Sequence, residues 1–77
     1  MLPGYFQSIL WFTDVEKLSL KRDWQVILFQ ALEKGRMEHL DYLRRKLGPA
    51  KILAFAKKNA KRFSRKSILP FLKTIYS

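Results

Sequence analysis

The chain has 77 residues, 48% of them hydrophobic, with sixteen Lys and Arg against six Asp and Glu, a formal charge of +10. That length holds one domain at most, spanning 1–77, and a chain so short buries only about 60–65% of the surface its unfolded form exposes, so a partner or a second copy, as in a homodimer, would complete a thin core. There is no cysteine and one histidine, which excludes disulfide scaffolds, zinc ribbons, thiol chemistry and multi-histidine metal centres. No apolar run is long enough to span a membrane, and the start lacks the basic region and cleavage site of a secretory signal. These features read as a soluble, cytoplasmic chain.

Apolar residues recur at helical spacing nearly throughout, and no alternating stretch argues for a strand. Met1–Gly4 reads as a loose start, and Tyr5–Phe12 as one or two helical turns. Thr13-Asp14-Val15-Glu16 fits a capping box, with the Thr13 hydroxyl and the Glu16 carboxylate each taking a free backbone N–H. A short turn then ends near Leu18, and Ser19 is a second N-cap. The next helix is predicted over Leu20–Lys34, with Gly35 as a left-handed stop. Its apolar residues, Trp24, Val26, Ile27, Leu28, Phe29, Ala31 and Leu32, cover most of the circumference, which belongs to the central helix of a domain. Trp24, Ile27, Leu28, Ala31 and Leu32 are expected in the core.

Arg36–Leu47 is predicted as a helix with a narrow stripe of Met37, Leu40, Leu43 and Leu47. Gly48-Pro49 ends it and opens the next, because proline suits the first helical position. The following helix, Ala50 to about Phe63, places Ile52, Phe55, Ala56, Ala60 and Phe63 on one side and Lys51, Lys57, Lys58, Lys61 and Arg62 on the other. The last helix covers about Arg65–Tyr76, with Ile68, Leu69, Leu72, Ile75 and Tyr76 inward. If Ser64 caps it, Pro70 is interior and kinks it; if Ser67 caps it, Pro70 falls in the first turn. The architecture expected is all-α, a compact bundle of four to five short helices, with a helix-turn-helix outline in the C-terminal half.

Charge is divided unevenly. Residues 1–41 carry five bases and all six acids, whereas residues 42–77 carry eleven bases and no acid. Such a half-chain attracts a polyanion, whether nucleic acid or the acidic face of a protein partner, or else is a solvated surface. The candidate binding residues are Arg44, Arg45, Lys51, Lys57, Lys58, Lys61, Arg62, Arg65 and Lys66. Lys51, Lys58 and Arg62 share one side of their helix and form a ridge that suits a phosphate backbone. Ser64 and Ser67 are expected to add neutral phosphate contacts. Asn59 is the one Asn or Gln after residue 41, so general backbone binding is better supported than base reading. The same amphipathic helix could rest on an anionic membrane surface, but its alanine-rich side suits packing against other helices.

Signs of catalysis are poor. His39 stands beside Glu38 and Asp41, but residues one and two apart on a helix do not face each other, and His39 is expected on the surface. No glycine-rich phosphate loop and no nucleophile–base pair can be assembled, so no catalytic residue, metal site or cofactor is expected. Tyr5, Phe6, Trp11 and Phe12 form an aromatic cluster that serves either the core or an exposed patch for a partner.

Leu10-Trp11-Phe12-Thr13-Asp14, Lys17-Leu18-Ser19-Leu20, Leu32-Glu33-Lys34-Gly35, Leu40-Asp41-Tyr42-Leu43, Leu47-Gly48-Pro49-Ala50-Lys51-Ile52 and Phe63-Ser64-Arg65-Lys66-Ser67, in that order, resemble a small family of uncharacterised bacterial and archaeal helical domains. The resemblance covers about residues 9–76. Genes of that family often stand beside those of nucleotidyltransferase-like toxins of the abortive-infection type. The resemblance therefore implies an antitoxin-like or toxin-partner role and brings no catalytic residues. The functional expectation is a non-enzymatic basic binding protein of that kind, and the alternative is a stand-alone DNA- or RNA-binding protein using the basic face around residues 50–63.

Overall fold

The computed structural model describes residues 2–76; Met1, the first residue of the expected loose start, and Ser77 lie outside them. Four α-helices follow one another: α1 Leu20–Lys34, α2 Met37–Leu47, α3 Pro49–Lys58 and α4 Ile68–Ile75. Three 3-10 turns, Gly4–Ser8, Val15–Lys17 and Ala60–Arg62, complete the chain, and there is no strand among the described residues. The all-α small bundle expected from periodicity is therefore the fold.

The start is tied down rather than loose. Leu2 and Phe6 are buried in the core. The Gln7 amide staples the segment up to Val15: its Nε2 donates to the carbonyls of Leu10 and Thr13, and its Oε1 accepts from the Val15 N–H. The expected Thr13–Glu16 capping box is replaced by a shorter device, in which Asp14 Oδ1 accepts from the Glu16 N–H at 3.0 Å and caps the Val15–Lys17 turn. Ser19 does stand at the N-cap of α1, but its hydroxyl makes no capping bond. Asp23 acts in reverse, its Oδ2 accepting from the Ser19 N–H at 3.0 Å, and its own φ of −109° and ψ of 19° depart from the helix.

Helix α1 keeps its expected bounds. Ile27, Leu28, Ala31 and Leu32 are fully buried, whereas Trp24 is half-buried and Val26 is 47% exposed. The helix supplies four fully buried residues to the core but leaves one face open, and it packs mainly on α2 rather than at the centre of the bundle. Gly35 is not left-handed: its φ is −76° and ψ 169°. A Cβ there would run into the Ala31 carbonyl oxygen and approach the Ala31 Cα to 2.9 Å, so glycine is required by close approach instead. The positive φ belongs to Gly48, at 90°, between α2 and Pro49, which opens α3 as expected.

In α2, Leu40 and Leu43 are buried and Leu47 partly so, but Met37 faces solvent. His39, expected on the surface, is only 2% exposed. Its Nδ1 accepts from the Arg36 N–H at 2.9 Å, its Nε2 lies 3.2 Å from the Tyr5 carbonyl, and its ring meets Phe6 edge-on at 4.9 Å. The Gly4–Ser8 turn covers that face of α2, a contact that the spacing within α2 does not reveal.

Helix α3 stops at Lys58, earlier than expected. Asn59 has φ −110° and ψ 16°, and its Nδ2 donates back to the Phe55 carbonyl at 2.9 Å, so the chain tightens into the Ala60–Arg62 turn. Ile52, Ala56 and Phe63 are buried, while Ala60 is exposed. Residues 59–67 connect α3 to α4, longer than the three- or four-residue turn of a helix-turn-helix. Ser67 precedes α4, which places Pro70 in the first turn, where a missing N–H costs little. Ile68, Leu72 and Tyr76 pack inward, and Leu69 and Ile75 do so partly.

Candidate functional site

Helices α1 and α3 meet through side chains and leave a gap between them. Trp24 meets Phe55 edge-on at 5.7 Å, and Phe29 stacks on Phe63 at 4.9 Å with an interplanar angle of 23°. Between these contacts a groove of about 430 Å³ opens. Its lining comes from Gln25, Val26, Phe29 and Gln30 of α1, from Phe55, Lys58, Asn59 and Arg62, and from Phe12. No carboxylate lines it.

Of the nine basic candidates, Lys58 and Arg62 border this groove directly. Lys51 stands two turns before Lys58 on the same face of α3, its Nζ 4.1 Å from the centre of the Trp24 ring. The Arg62 guanidinium lies 4.7 Å from the centre of the Phe29 ring and donates to Asn59 Oδ1 at 3.0 Å. Arg62, expected on the same helix as Lys51 and Lys58, lies instead in the Ala60–Arg62 turn beyond the end of α3, and Lys51 and Arg62 each rest over an aromatic ring of α1. Lys57 and Lys61 are exposed but do not reach the groove, and Lys66 is exposed on the connection. Arg65 is spent structurally, its Nη2 donating to the Gly35 carbonyl at 3.0 Å. Arg44 and Arg45 stand in the last turn of α2, away from the groove, with Arg45 loosely paired to Asp41 at 3.9 Å.

Ser64 does not offer the expected phosphate contact. Its N–H and hydroxyl both donate to the Glu33 carboxylate. Ser67 instead lines a second hollow with Arg65, Pro70 and Phe71.

Two ion pairs occur among the described residues, Arg22–Asp23 and Asp41–Arg45, and neither touches Lys51, Lys58 or Arg62. These three cations therefore keep their charge uncompensated by any carboxylate within pairing distance, which is the condition for attracting an external anion. No group of three or more His, Cys, Asp or Glu that could hold a metal is found among the described residues. No helix among them is long and apolar enough to cross a membrane.

The aromatic cluster near the start divides between its two readings. Phe6 is core, whereas Trp11 is 69% and Phe12 50% exposed. Sequence reasoning missed Gln25, Gln30, Phe29 and Phe55 as groove residues. Phe29 was one of the apolar residues that cover most of the α1 circumference, and Phe55 one of the apolar side of α3; only packing shows which of these faces stay open.

No known protein family, curated protein or solved structure matches this chain.

Proposed function

We propose that the chain is a cytoplasmic, non-enzymatic nucleic-acid-binding protein that tracks phosphates along the Lys51–Lys58–Arg62 ridge. The observation that carries this reading is the set of unpaired cations here: Lys58 and Arg62 border a groove lined by no carboxylate, and Lys51 and Arg62 rest over aromatic rings of α1. Phosphate contacts of this kind release counterions, so affinity should fall linearly with the logarithm of salt, by about 0.9 per contact on duplex and about 0.7 on single strands. Anisotropy titrations of labelled oligonucleotides across a salt series test it. Replacing Lys58 and Arg62 together by Ala should lower the slope by nearly two contacts and weaken every sequence alike, because backbone contacts carry no base information.

A second reading is favoured by the exposed Trp11 and Phe12 together with the family resemblance: an antitoxin-like protein whose basic half meets an acidic partner. Co-expression with the product of the adjacent gene separates the two. A stoichiometric complex that Trp11→Ala breaks, with no nucleic-acid binding at low salt, favours the partner protein and defeats the first reading.

A further inference from the structure

We infer that the α1–α3 groove seats an unstacked base of a single-stranded nucleic acid, with the adjoining phosphates on Lys51 and Lys58. The inference rests on the nucleic-acid reading above and goes beyond it, because a phosphate ridge alone does not distinguish duplex from single strand.

Three features of the groove select the single strand. The first is a planar cation set on aromatic rings. Phe63 stacks on Phe29, and the Arg62 guanidinium, which lines the groove, lies over the same Phe29 ring. Bases stack on guanidinium planes as well as on aromatic rings. The second is exposed apolar surface beside that cation, from Phe12 and Val26, 50% and 47% exposed. In a duplex the base faces lie inside the stack and have nothing to offer such a surface; in a single strand they are free. The third is a pair of amides. Gln25 is exposed and Gln30 uses only its Nε2, donating to the Ile9 carbonyl at 2.9 Å, so both retain hydrogen-bonding capacity for a base edge. The volume of about 430 Å³ lies within the roughly 300–1,000 Å³ of small-ligand sites. The charge is complementary throughout, since cations border the groove and no acid lines it.

The test compares a fluorescein-labelled oligo-deoxythymidine with a duplex of equal length, at one low salt concentration and across a salt series. Wild-type protein should favour the single strand. Phe12→Ala, in an exposed connection, should lose about tenfold on the single strand and leave duplex affinity unchanged. Phe55→Leu, which keeps an apolar side chain in the α1–α3 contact, should act in the same direction. Neither variant removes a charge, so the salt slope should stay as in the wild type. Circular dichroism verifies that both remain helical. Equal binding of single strand and duplex, untouched by either variant, overturns the groove as a base site while the ridge reading stands. Absence of binding to either oligonucleotide at low salt overturns both.

Discussion

The Glu33 carboxylate receives two donors from Ser64, thirty-one residues away: the backbone N–H at 2.7 Å and the hydroxyl at 3.3 Å. With the Arg65 bond to the Gly35 carbonyl, it ties the connection after α3 to the end of α1. The turn that carries Arg62 is therefore anchored by the other wall of the groove. Glu33→Ala should speed amide exchange at Ser64 and cost about 1 kcal/mol, a modest figure because the bonds are solvent-exposed. Unchanged exchange and an unchanged melting temperature would show that the tether has no structural effect.

Leu28 and Val26 lie two residues apart on α1 but in different environments, one fully buried and one beside the open groove. Leu28→Ala should cost about 2–5 kcal/mol in urea unfolding. Val26→Ala should stay within about 0.5 kcal/mol. Equal losses at the two positions would mean that α1 is rotated from the orientation described.

His39 links the N-terminal turn to α2 through its Nε2 contact with the Tyr5 carbonyl and an edge-on contact with Phe6, while its Nδ1 accepts from the Arg36 N–H at the cap of its own helix. His39→Ala should cost about 2–4 kcal/mol, combining a cavity with stranded backbone partners at Arg36 and Tyr5. His39→Asn, which retains an acceptor and a donor, should recover part of it. A loss under about 0.5 kcal/mol by His39→Ala in chemical denaturation would return this side chain to the surface.

The Asp23 carboxyl is held below the usual carboxylate range by its hydrogen bonds from Arg22 and the Ser19 N–H. A lowered folded-state value gives stability that is present above the unfolded carboxylate pKa, about 3.9, and lost as pH falls through the folded one. Amide shifts at Ser19 should therefore report fraying of the first turn of α1 on acidification below about pH 4. In Asp23→Asn that acid-dependent change should vanish; its persistence would assign it to another group.

Tyr76 closes the opposite end of the chain, its hydroxyl donating to the Leu40 carbonyl at 2.9 Å. Burial pushes its pKa up from 10.0 to about 12. The raised value means stability that is complete below pH 10 and lost as pH rises toward 12. Tyr76→Phe should cost about 0.5–1.5 kcal/mol at neutral pH and remove this portion of the alkaline loss. An alkaline unfolding curve identical in the variant would mean that Tyr76 does not control it.

Much of the fold was legible in the residues because it depends on local rules. The 3.6-residue spacing of Ile27, Leu28, Ala31 and Leu32 marks α1, and Gly48-Pro49 marks a helix junction whatever surrounds it. The absence of any acid after Asp41 is likewise a property of the sequence alone, and so is the alignment of Lys51 and Lys58 on one face.

The rest depended on which distant segments meet. His39 is inside because residues 4–8 lie over α2, and Gly35 is glycine because the chain turns back against Ala31. Asn59 ends α3 by bonding back to its own helix, and Ser64, bonded to Glu33 of α1, does not precede α4, which begins after Ser67. The groove is the clearest case. Periodicity in α1 supplied more apolar surface than its neighbours cover, and periodicity in α3 supplied a row of cations, but neither says that the two border one another. Side-chain period is set within a single helix by backbone geometry, whereas the juxtaposition of Phe29 with Arg62 and of Trp24 with Lys51 is set by how the helices pack.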